Sequence, residues 1–236
     1  MNVRRISVRK SAVITAAVAA TALLMPTAAA TAQAEARTGV KTEAKAEAKA
    51  EVKAEAKAKA PRTVSAPGFL AAADMPDGWG TEWQAGPVTK GNPEFPPGCM
   101  RDVLPAKGAT WHRAYWTDLE TSATQISVTT PTVASARRLV AAAEKAAADC
   151  AADSLRKTPG GAAAWDDYGK IAAEDGAHVY GVHTEQPYGA LDVALIGIGR
   201  DGRTVTFVDW GQMGYLKDLP VEAFKKTMAK AVNDLR

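Results

Sequence analysis

The chain has 236 residues, of which 47% are hydrophobic and 23% are charged, and its formal net charge is +3. The positive charge comes from the first 62 residues, because residues 63–236 hold 17 basic and 21 acidic side chains. A weakly acidic domain lacks the basic face that phosphate backbones require, which argues against a nucleic-acid partner, and a region of this length can bury one hydrophobic core.

Residues 1–34 have the layout of a secretory signal peptide. Four basic side chains come first: Arg4, Arg5, Arg9 and Lys10. An uncharged apolar run over 11–25 follows, and it is shorter and richer in alanine than a membrane span, which needs about 20 strongly apolar residues. Two Ala-x-Ala sites come next, and we favour cleavage after Ala34 over cleavage after Ala32. The sequence thus predicts a secreted protein, retained in the cell wall or released, with no stable membrane span once the signal is removed.

Two other interpretations of this segment stay open. The pair Arg4-Arg5 fits the twin-arginine export route, although Ile6, Ser7 and Val8 differ from the apolar residues expected after such a pair. An uncleaved signal would instead act as a membrane anchor. Because no cysteine lies near the cleavage site, the sequence does not predict a lipoprotein.

Residues 35–62 form a low-complexity segment of Ala, Lys and Glu. Lysines recur every four residues from Lys41 to Lys57, and glutamates recur with the same period from Glu43 to Glu55. On a helix, these like charges would stack along two stripes, which opposes the high helix propensity of the composition. We expect a partly helical tether with no core of its own, which spaces the domain within the cell wall. Binding of anionic wall polymers by the lysines is the alternative role.

Cys99 and Cys150 are the two cysteines of the chain. In an exported protein an even count usually means a disulfide, and this bridge would close a loop of about 50 residues. The alternatives are a pair of free buried thiols and a catalytic cysteine, although no histidine lies near either cysteine in the sequence. We therefore expect a disulfide between the two.

Apolar patterns in residues 63–236 predict five strands and two long helices. In chain order they are strands over 110–117 and 123–130, a helix from Pro131 to about Leu155, strands over 177–185, 190–199 and 203–210, and a helix over 219–235. Thr130 is the predicted N-cap of the first helix, and Asp201-Gly202 predicts a hairpin. We expect an α+β fold with a single antiparallel sheet of about five strands and both helices packed on one face.

Less regular structure is expected between these elements. A short helix is predicted over 68–73, followed by an irregular stretch to residue 104 that is rich in Pro and Gly. Residues 158–175 contain Gly160-Gly161 and are expected to form a loop. The strand over 190–199 is almost wholly apolar, so we expect it inside the sheet.

Motifs for catalysis or metal binding are not found in the sequence. It has no Gly-x-Ser-x-Gly elbow and no phosphate-binding loop, and no two histidines have a helical zinc spacing. His178 and His183 are five residues apart on one predicted strand, so their side chains point to opposite faces. We therefore expect no catalytic residue, no metal and no cofactor.

Four side chains are the candidate ligand contacts: Trp165, Asp192, His183 and Trp210. Trp165 stands among small and acidic residues, where an exposed ring would form a ligand platform. Asp192 interrupts the most apolar strand and would need a partner if buried. His183 shares a strand face with Glu185, and this pair either acts as acid and base or forms an ordinary solvated contact. For Trp210, as for the other tryptophans, packing in the core or at an edge is the competing interpretation.

Three segments together resemble the PknH-like extracellular sensor domains of actinobacteria, typified by the outer domain of a mycobacterial serine/threonine kinase. They are residues 69–76 with the Pro-rich stretch to Cys99, residues 126–136 with the helix that reaches Cys150, and residues 205–212 before the last helix. The resemblance implies an antiparallel sheet with packed helices, a stabilising disulfide and a groove for a ligand. This chain departs from the kinase, since it has no kinase domain, second cysteine pair or membrane span, so only ligand binding would carry over.

The leading hypothesis is a secreted, non-enzymatic ligand-binding or sensor-like domain on a flexible tether, acting at the cell wall or outside the cell. Its expected partner is an unidentified ligand, a cell-wall component or a protein. One alternative is a secreted hydrolase whose site is assembled from distant residues such as Asp166, His183 and Glu185. The other alternative is a secreted inhibitor of a partner enzyme.

Overall fold

The computed structural model describes residues 65–77, 81–106 and 108–236. The predicted signal peptide over 1–34 and the predicted tether over 35–62 therefore lie outside the described residues. Within the described ranges, no helix combines the length and the apolar character needed to cross a membrane.

The domain consists of one antiparallel sheet and two long helices. The strands are β1 (Gln84–Ala85), β2 (Thr89–Lys90), β3 (Ala109–Trp116), β4 (Ser122–Thr129), β5 (Ala162–Ile171), β6 (Ala177–Glu185), β7 (Leu191–Asp201) and β8 (Thr204–Gln212). The helices are α1 (Val133–Lys157) and α2 (Val221–Asn233), and short 3-10 helices lie at Ala72–Asp74 and Leu216–Asp218. The strand order is β1-β3-β4-β8-β7-β6-β5, with β2 also paired to β3. The predicted α+β class, the single antiparallel sheet and the two helices are confirmed.

The sheet has eight strands in the described part of the chain rather than about five. The five predicted strands correspond to β3, β4, β6, β7 and β8. The prediction of a loop over 158–175 was wrong, because this stretch contains β5. As an edge strand that pairs only with β6, β5 buries none of its residues fully and so lacks an alternating apolar pattern. Its register also shifts between Asp167 and Gly169, which has a φ of 90°.

Two predictions for the segment between residues 68 and 104 were also wrong. The short helix predicted over 68–73 is only the three-residue 3-10 helix at Ala72–Asp74. The stretch expected to be irregular up to residue 104 contains β1 and β2, each of two residues. Strands this short are set by pairing with β3 and leave no periodic pattern in the sequence.

The helix α1 is capped by Thr132 rather than by Thr130. The side-chain oxygen of Thr132 accepts a hydrogen bond from the Ser135 backbone N–H at 3.1 Å. The Thr130 hydroxyl instead donates to the backbone carbonyls of Thr132 and Arg203. Pro131 therefore precedes the cap, and the helix begins two residues later than predicted.

The two helices lie on opposite faces of the sheet, so the prediction of both on one face was wrong. On one face, α1 shares a hydrophobic cluster with Ile196 and Ile198 of β7. On the other face, Phe224 and Met228 of α2 share a second cluster with Leu195. Because neighbouring residues of a strand point to opposite faces, the apolar residues at both alternations of β7 require a cover on each side. The apolar character that predicted an inner strand, confirmed by the position of β7 between β6 and β8, also indicated two covered faces.

Glycine allows α2 to approach β7 closely. A Cβ placed on Gly199 would lie 2.3 Å from Val232 Cγ2 and 3.1 Å from Ala177 Cβ. We expect Gly199→Ala to lower the free energy of unfolding by about 1–3 kcal/mol, because the added methyl group forces α2 away from the sheet. Urea denaturation measures this change. Gly98→Ala is the matched control, since no atom lies within 4 Å of its added Cβ, and similar losses in both variants would contradict the close packing.

Candidate functional site

A pocket of about 550 Å³ lies on the α1 side of the sheet. Its floor comes from β6, β7 and β8, one wall comes from the second half of α1, and the other comes from the segment that carries Cys99. Its lining residues are Gly98, Cys99, Asp102, Val103, Ala142, Lys145, Ala146, Asp149, Cys150, Asp153, Ser154, Lys157, Thr158, Val182, Thr184, Asp192, Val193, Ala194 and Asp209. The volume falls within the range of about 300–1,000 Å³ that small-molecule sites occupy.

Small residues and a disulfide explain why the space is open. Ala142 and Ala146 face the pocket from α1, and Ala194 faces it from β7. Gly211 of β8 pairs with Ala194, and a Cβ on Gly211 would meet only the Val193 carbonyl oxygen, at 3.6 Å. The floor therefore lacks a large side chain at this point.

The predicted disulfide between Cys99 and Cys150 is confirmed, and it borders the pocket. The two Cα atoms are 5.4 Å apart, within the usual range for a bridge. Both cysteines are partly buried against the hydrophobic cluster that underlies α1. The bridge thus fixes the Cys99 segment opposite the helix and holds the two walls at a set spacing.

Asp209 is the most unusual side chain in this pocket. It lies on the inner strand β8, directly opposite Ile196 of β7 and Thr124 of β4. Within the described residues its carboxylate takes part in no hydrogen bond and no ion pair, and burial raises its pKa to about 7. By its accessible surface Asp209 is half-buried rather than sealed from solvent, and its unpartnered carboxylate lines the pocket, where a bound group can reach it.

The pocket lining carries more acidic than basic side chains. Lys145 forms an ion pair with Asp149, and Asp153 forms one with Arg156. Those pairs neutralise two of the five carboxylates at the site. The other three, which form no ion pair in the described part of the chain, are Asp102, Asp192 and Asp209. Among the described lining residues, Lys157 is the one basic side chain left to oppose them, so this lining has a negative electrostatic character.

The structure places two of the four predicted ligand contacts on the pocket side of the sheet. The side chain of Asp192 lines the pocket. Trp165 lies on β5 rather than on a loop, is 41% exposed, and has its ring centroid 6.3 Å from that of Tyr180. Trp165 is paired with Val182, a pocket residue, but is not itself part of the lining.

The other two predicted contacts face α2. His183 is buried, and its Nδ1 lies 3.1 Å from the backbone oxygens of both Asp192 and Gly214. It borders a shallow depression of about 350 Å³ with Tyr215, Leu216 and Lys217. Trp210 is fully buried in the α2-side core. The structure therefore does not bring the four candidates together.

The residues named for the hydrolase alternative lie on one face of the neighbouring strands β5 and β6, without a polar contact that joins them in the described part of the chain. Asp166 pairs with Gly181, and Glu185 pairs with Ala162 and Leu191. No hydrogen bond or ion pair within the described ranges joins His183 to Asp166 or Glu185. None of these three residues lines the pocket on the α1 side.

His178 forms a polar cluster that sequence reasoning missed. Its Nε2 lies 2.6 Å from Asp167 Oδ1, and its Nδ1 lies 3.0 Å from the Tyr180 hydroxyl and 3.4 Å from Glu144 Oε1. The hydrogen bond with His178 is the largest influence that lowers the pKa of Asp167. Both ring nitrogens are engaged, so the cluster joins β5, β6 and α1 structurally. His178 and His183 face opposite sides of the sheet, as predicted.

Asp209 was also missed, although the sequence contains the signal. It interrupts the apolar run of β8 just as Asp192 interrupts β7.

The described residues contain no group of three or more His, Cys, Asp or Glu side chains arranged to hold a metal ion.

Comparison with known proteins adds no family assignment: a scan against protein-family models and searches of curated proteins and of solved structures each find no match to this chain. What the pocket binds must therefore be inferred from the residues that line it. An apolar interior bordered by a disulfide and three unpaired carboxylates is suited to holding a small molecule.

Proposed function

We propose that this protein is a secreted, non-enzymatic ligand-binding or sensor-like domain that holds a small molecule in the pocket between α1, the sheet and the Cys99 segment. The observation that carries the proposal is the open space of about 550 Å³ between two walls joined by a disulfide. A tether over 35–62 would keep the domain at the cell wall or outside the cell. The resemblance to PknH-like sensor domains fits the same role.

The composition of the pocket favours binding over covalent chemistry. Its described lining contains no histidine, and its two cysteines are joined to each other. Ser154 and the threonines of the lining therefore have no histidine beside them in the pocket to act as a base. These residues are suited to orienting a ligand through hydrogen bonds while the alanines and valines contact its apolar part.

Ligand binding should raise the unfolding temperature of the purified protein. At a ligand concentration about 100 times the Kd, binding adds about 2.7 kcal/mol, which corresponds to about 5–10 °C for a domain of this size. Differential scanning fluorimetry with fractionated cell-wall fragments, lipids and culture extracts measures the shift. A shift that is absent from every fraction would contradict the proposal.

A pair of leucine variants locates the binding site. Ala194→Leu fills the floor of the pocket and should abolish the shift, whereas Ala152→Leu adds the same side chain at an exposed position of α1 outside the lining. The Ala152→Leu protein should respond like the unmodified protein. Equal shifts in both variants would place the ligand elsewhere on the molecule.

A further inference from the structure

Asp209 lies among uncharged neighbours on the pocket side of the sheet. Its side chain shares the α1-facing side of β8 with Phe207, two residues away, and its paired neighbours on that face are Thr124 and Ile196. None of these three neighbours carries a charge. A carboxylate in this position gains a favourable partner when a positively charged group enters the pocket.

The basic side chains of the pocket do not supply a positive partner for Asp209. Lys145 is engaged by Asp149 on the same helix. Lys157 lies exposed near the end of α1 and forms no ion pair within the described residues. Asp102 and Asp192 add two more unpaired carboxylates from the opposite wall and from β7. The field of the pocket therefore attracts a cation and opposes an anion.

The spacing of the carboxylates indicates an organic cation rather than a metal ion. Asp209 pairs with Ile196, and Asp192 lies four residues earlier on β7. At a rise of about 3.3 Å per residue, these two acids are separated by roughly 13 Å along the strand. Carboxylates so far apart cannot share one metal ion, which needs oxygen ligands at about 2–2.6 Å.

The surface between the acids is apolar. Ala194 lies on β7 between Asp192 and Ile196, and Val182 of β6 is its paired neighbour. Ala142 and Ala146 face them from α1, and the Cys99–Cys150 bridge borders the same space. A ligand body that contacts these groups gains from leaving water, since each buried CH₂ contributes about 0.8 kcal/mol.

We propose that the pocket selects an organic cation, in which an ammonium group is held by Asp209 and an apolar body lies along Ala194 and Val182. The inference rests on the proposed ligand-binding function and specifies the class of ligand. The unpaired Asp192 near the opposite end of the floor is available to a second amine or to water.

Isothermal titration calorimetry with three ligands of similar shape tests the selection. The probes are 2-phenylethylamine, which is cationic, 2-phenylethanol, which is neutral, and 3-phenylpropionate, which is anionic. At about pH 8, where Asp209 is ionised, the amine should bind at least about tenfold more tightly than the alcohol, and the anion should not bind. Asp209→Asn should weaken amine binding about tenfold or more and leave binding of the alcohol unchanged.

Two control variants separate the pocket from the rest of the surface. Asp166→Asn makes the same substitution on the exposed side of β5, outside the lining, and should not change amine binding. Ala194→Leu should abolish binding of every probe. Equal amine affinity in the Asp209→Asn and unmodified proteins would overturn the inference, as would amine binding that survives Ala194→Leu.

The test also separates this inference from the proposed function. Equal affinities for the amine and the alcohol, both lost in Ala194→Leu, would overturn charge selection while leaving a functional pocket. In another outcome, a culture fraction stabilises the unmodified protein but not Ala194→Leu while none of the three probes binds. That result would overturn selection of an organic cation and leave the pocket as a ligand site. Absence of any fraction-dependent shift would instead count against the proposed function itself.

Discussion

Asp209→Asn should stabilise the protein at about pH 8 and change its stability little at about pH 4. Burial raises the pKa of Asp209 from 3.8 to about 7. Between these values the folded protein keeps a proton that the unfolded chain has released, so stability falls as the pH rises through this window. The stability of the folded protein is therefore highest below the Asp209 pKa of the unfolded chain, and the loss is complete above its pKa in the folded protein. An uncharged amide avoids the loss.

The expected gain at about pH 8 is on the order of 2–4 kcal/mol. The rise of the Asp209 pKa from 3.8 to about 7 corresponds to at most about 4 kcal/mol at 1.36 kcal/mol per pKa unit, and access of water to the half-buried side chain from the pocket reduces this. The gain is smaller if the asparagine amide lacks a full set of hydrogen-bond partners. Urea denaturation of both proteins at the two pH values measures it. With Asp166→Asn as the control on an exposed carboxylate, a pH-independent difference for Asp209→Asn would contradict the burial of an unpaired carboxyl group.

This prediction links stability with binding. A carboxylate that destabilises the free protein near neutral pH and gains a partner when a cation is bound favours the bound state over the free state. Asp209→Asn should therefore yield a more stable protein with weaker amine binding. Opposite changes in these two quantities are a common consequence of placing a functional group where folding alone would exclude it.

Removal of the disulfide in a Cys99→Ala/Cys150→Ala protein should lower the free energy of unfolding by about 4 kcal/mol. The bridge joins residues separated by 51 positions, and closing a loop of this length restricts the unfolded chain by about that amount in the loop-entropy treatment. Loss of the bridge should also weaken ligand binding, because the bridge joins the Cys99 wall of the pocket to α1 directly.

Chemical unfolding with and without reductant measures the disulfide contribution. Dithiothreitol should lower the stability of the unmodified protein to that of the double variant and should leave the double variant unchanged. Ligand-dependent stabilisation should be reduced in the double variant even at temperatures where it remains folded. A loss below about 1 kcal/mol would mean that the segment around Cys99 is held by its other contacts, including those of Met100 in the core.

The main elements of the fold were predictable because their signals are local. The strands β3, β4, β6, β7 and β8 and both helices carry their own apolar periodicity, and Cys99 and Cys150 are the only partners available to each other. The edge strand β5 was not predictable in this way, because pairing with β6 rather than burial defines it. The side of the sheet on which each helix packs also depends on tertiary contacts, although the apolar run of β7 indicated that both faces are covered.

The candidate site was predicted only through Asp192. Asp209 interrupts an apolar strand in the same way and is the more deeply placed carboxylate of the two, so the same sequence signal was present there. The two tryptophan candidates were a weaker guide: Trp210 is enclosed in the core, and Trp165, the one predicted to be exposed, lies beside the pocket rather than in it. Which carboxylates converge depends on strand register, which a single sequence does not encode locally.

The placement of α1 and α2 on opposite faces makes the sheet a partition between two interiors. Phe224, Met228 and Trp210 are fully buried on the α2 side, whereas the space beneath α1 is open where Ala194 and Asp209 lie. The buried α2-side cluster packs against the face of the sheet opposite the pocket. Because the two hydrophobic clusters lie on opposite faces of one sheet, a substitution in the pocket lining leaves the contacts between α2 and the sheet in place.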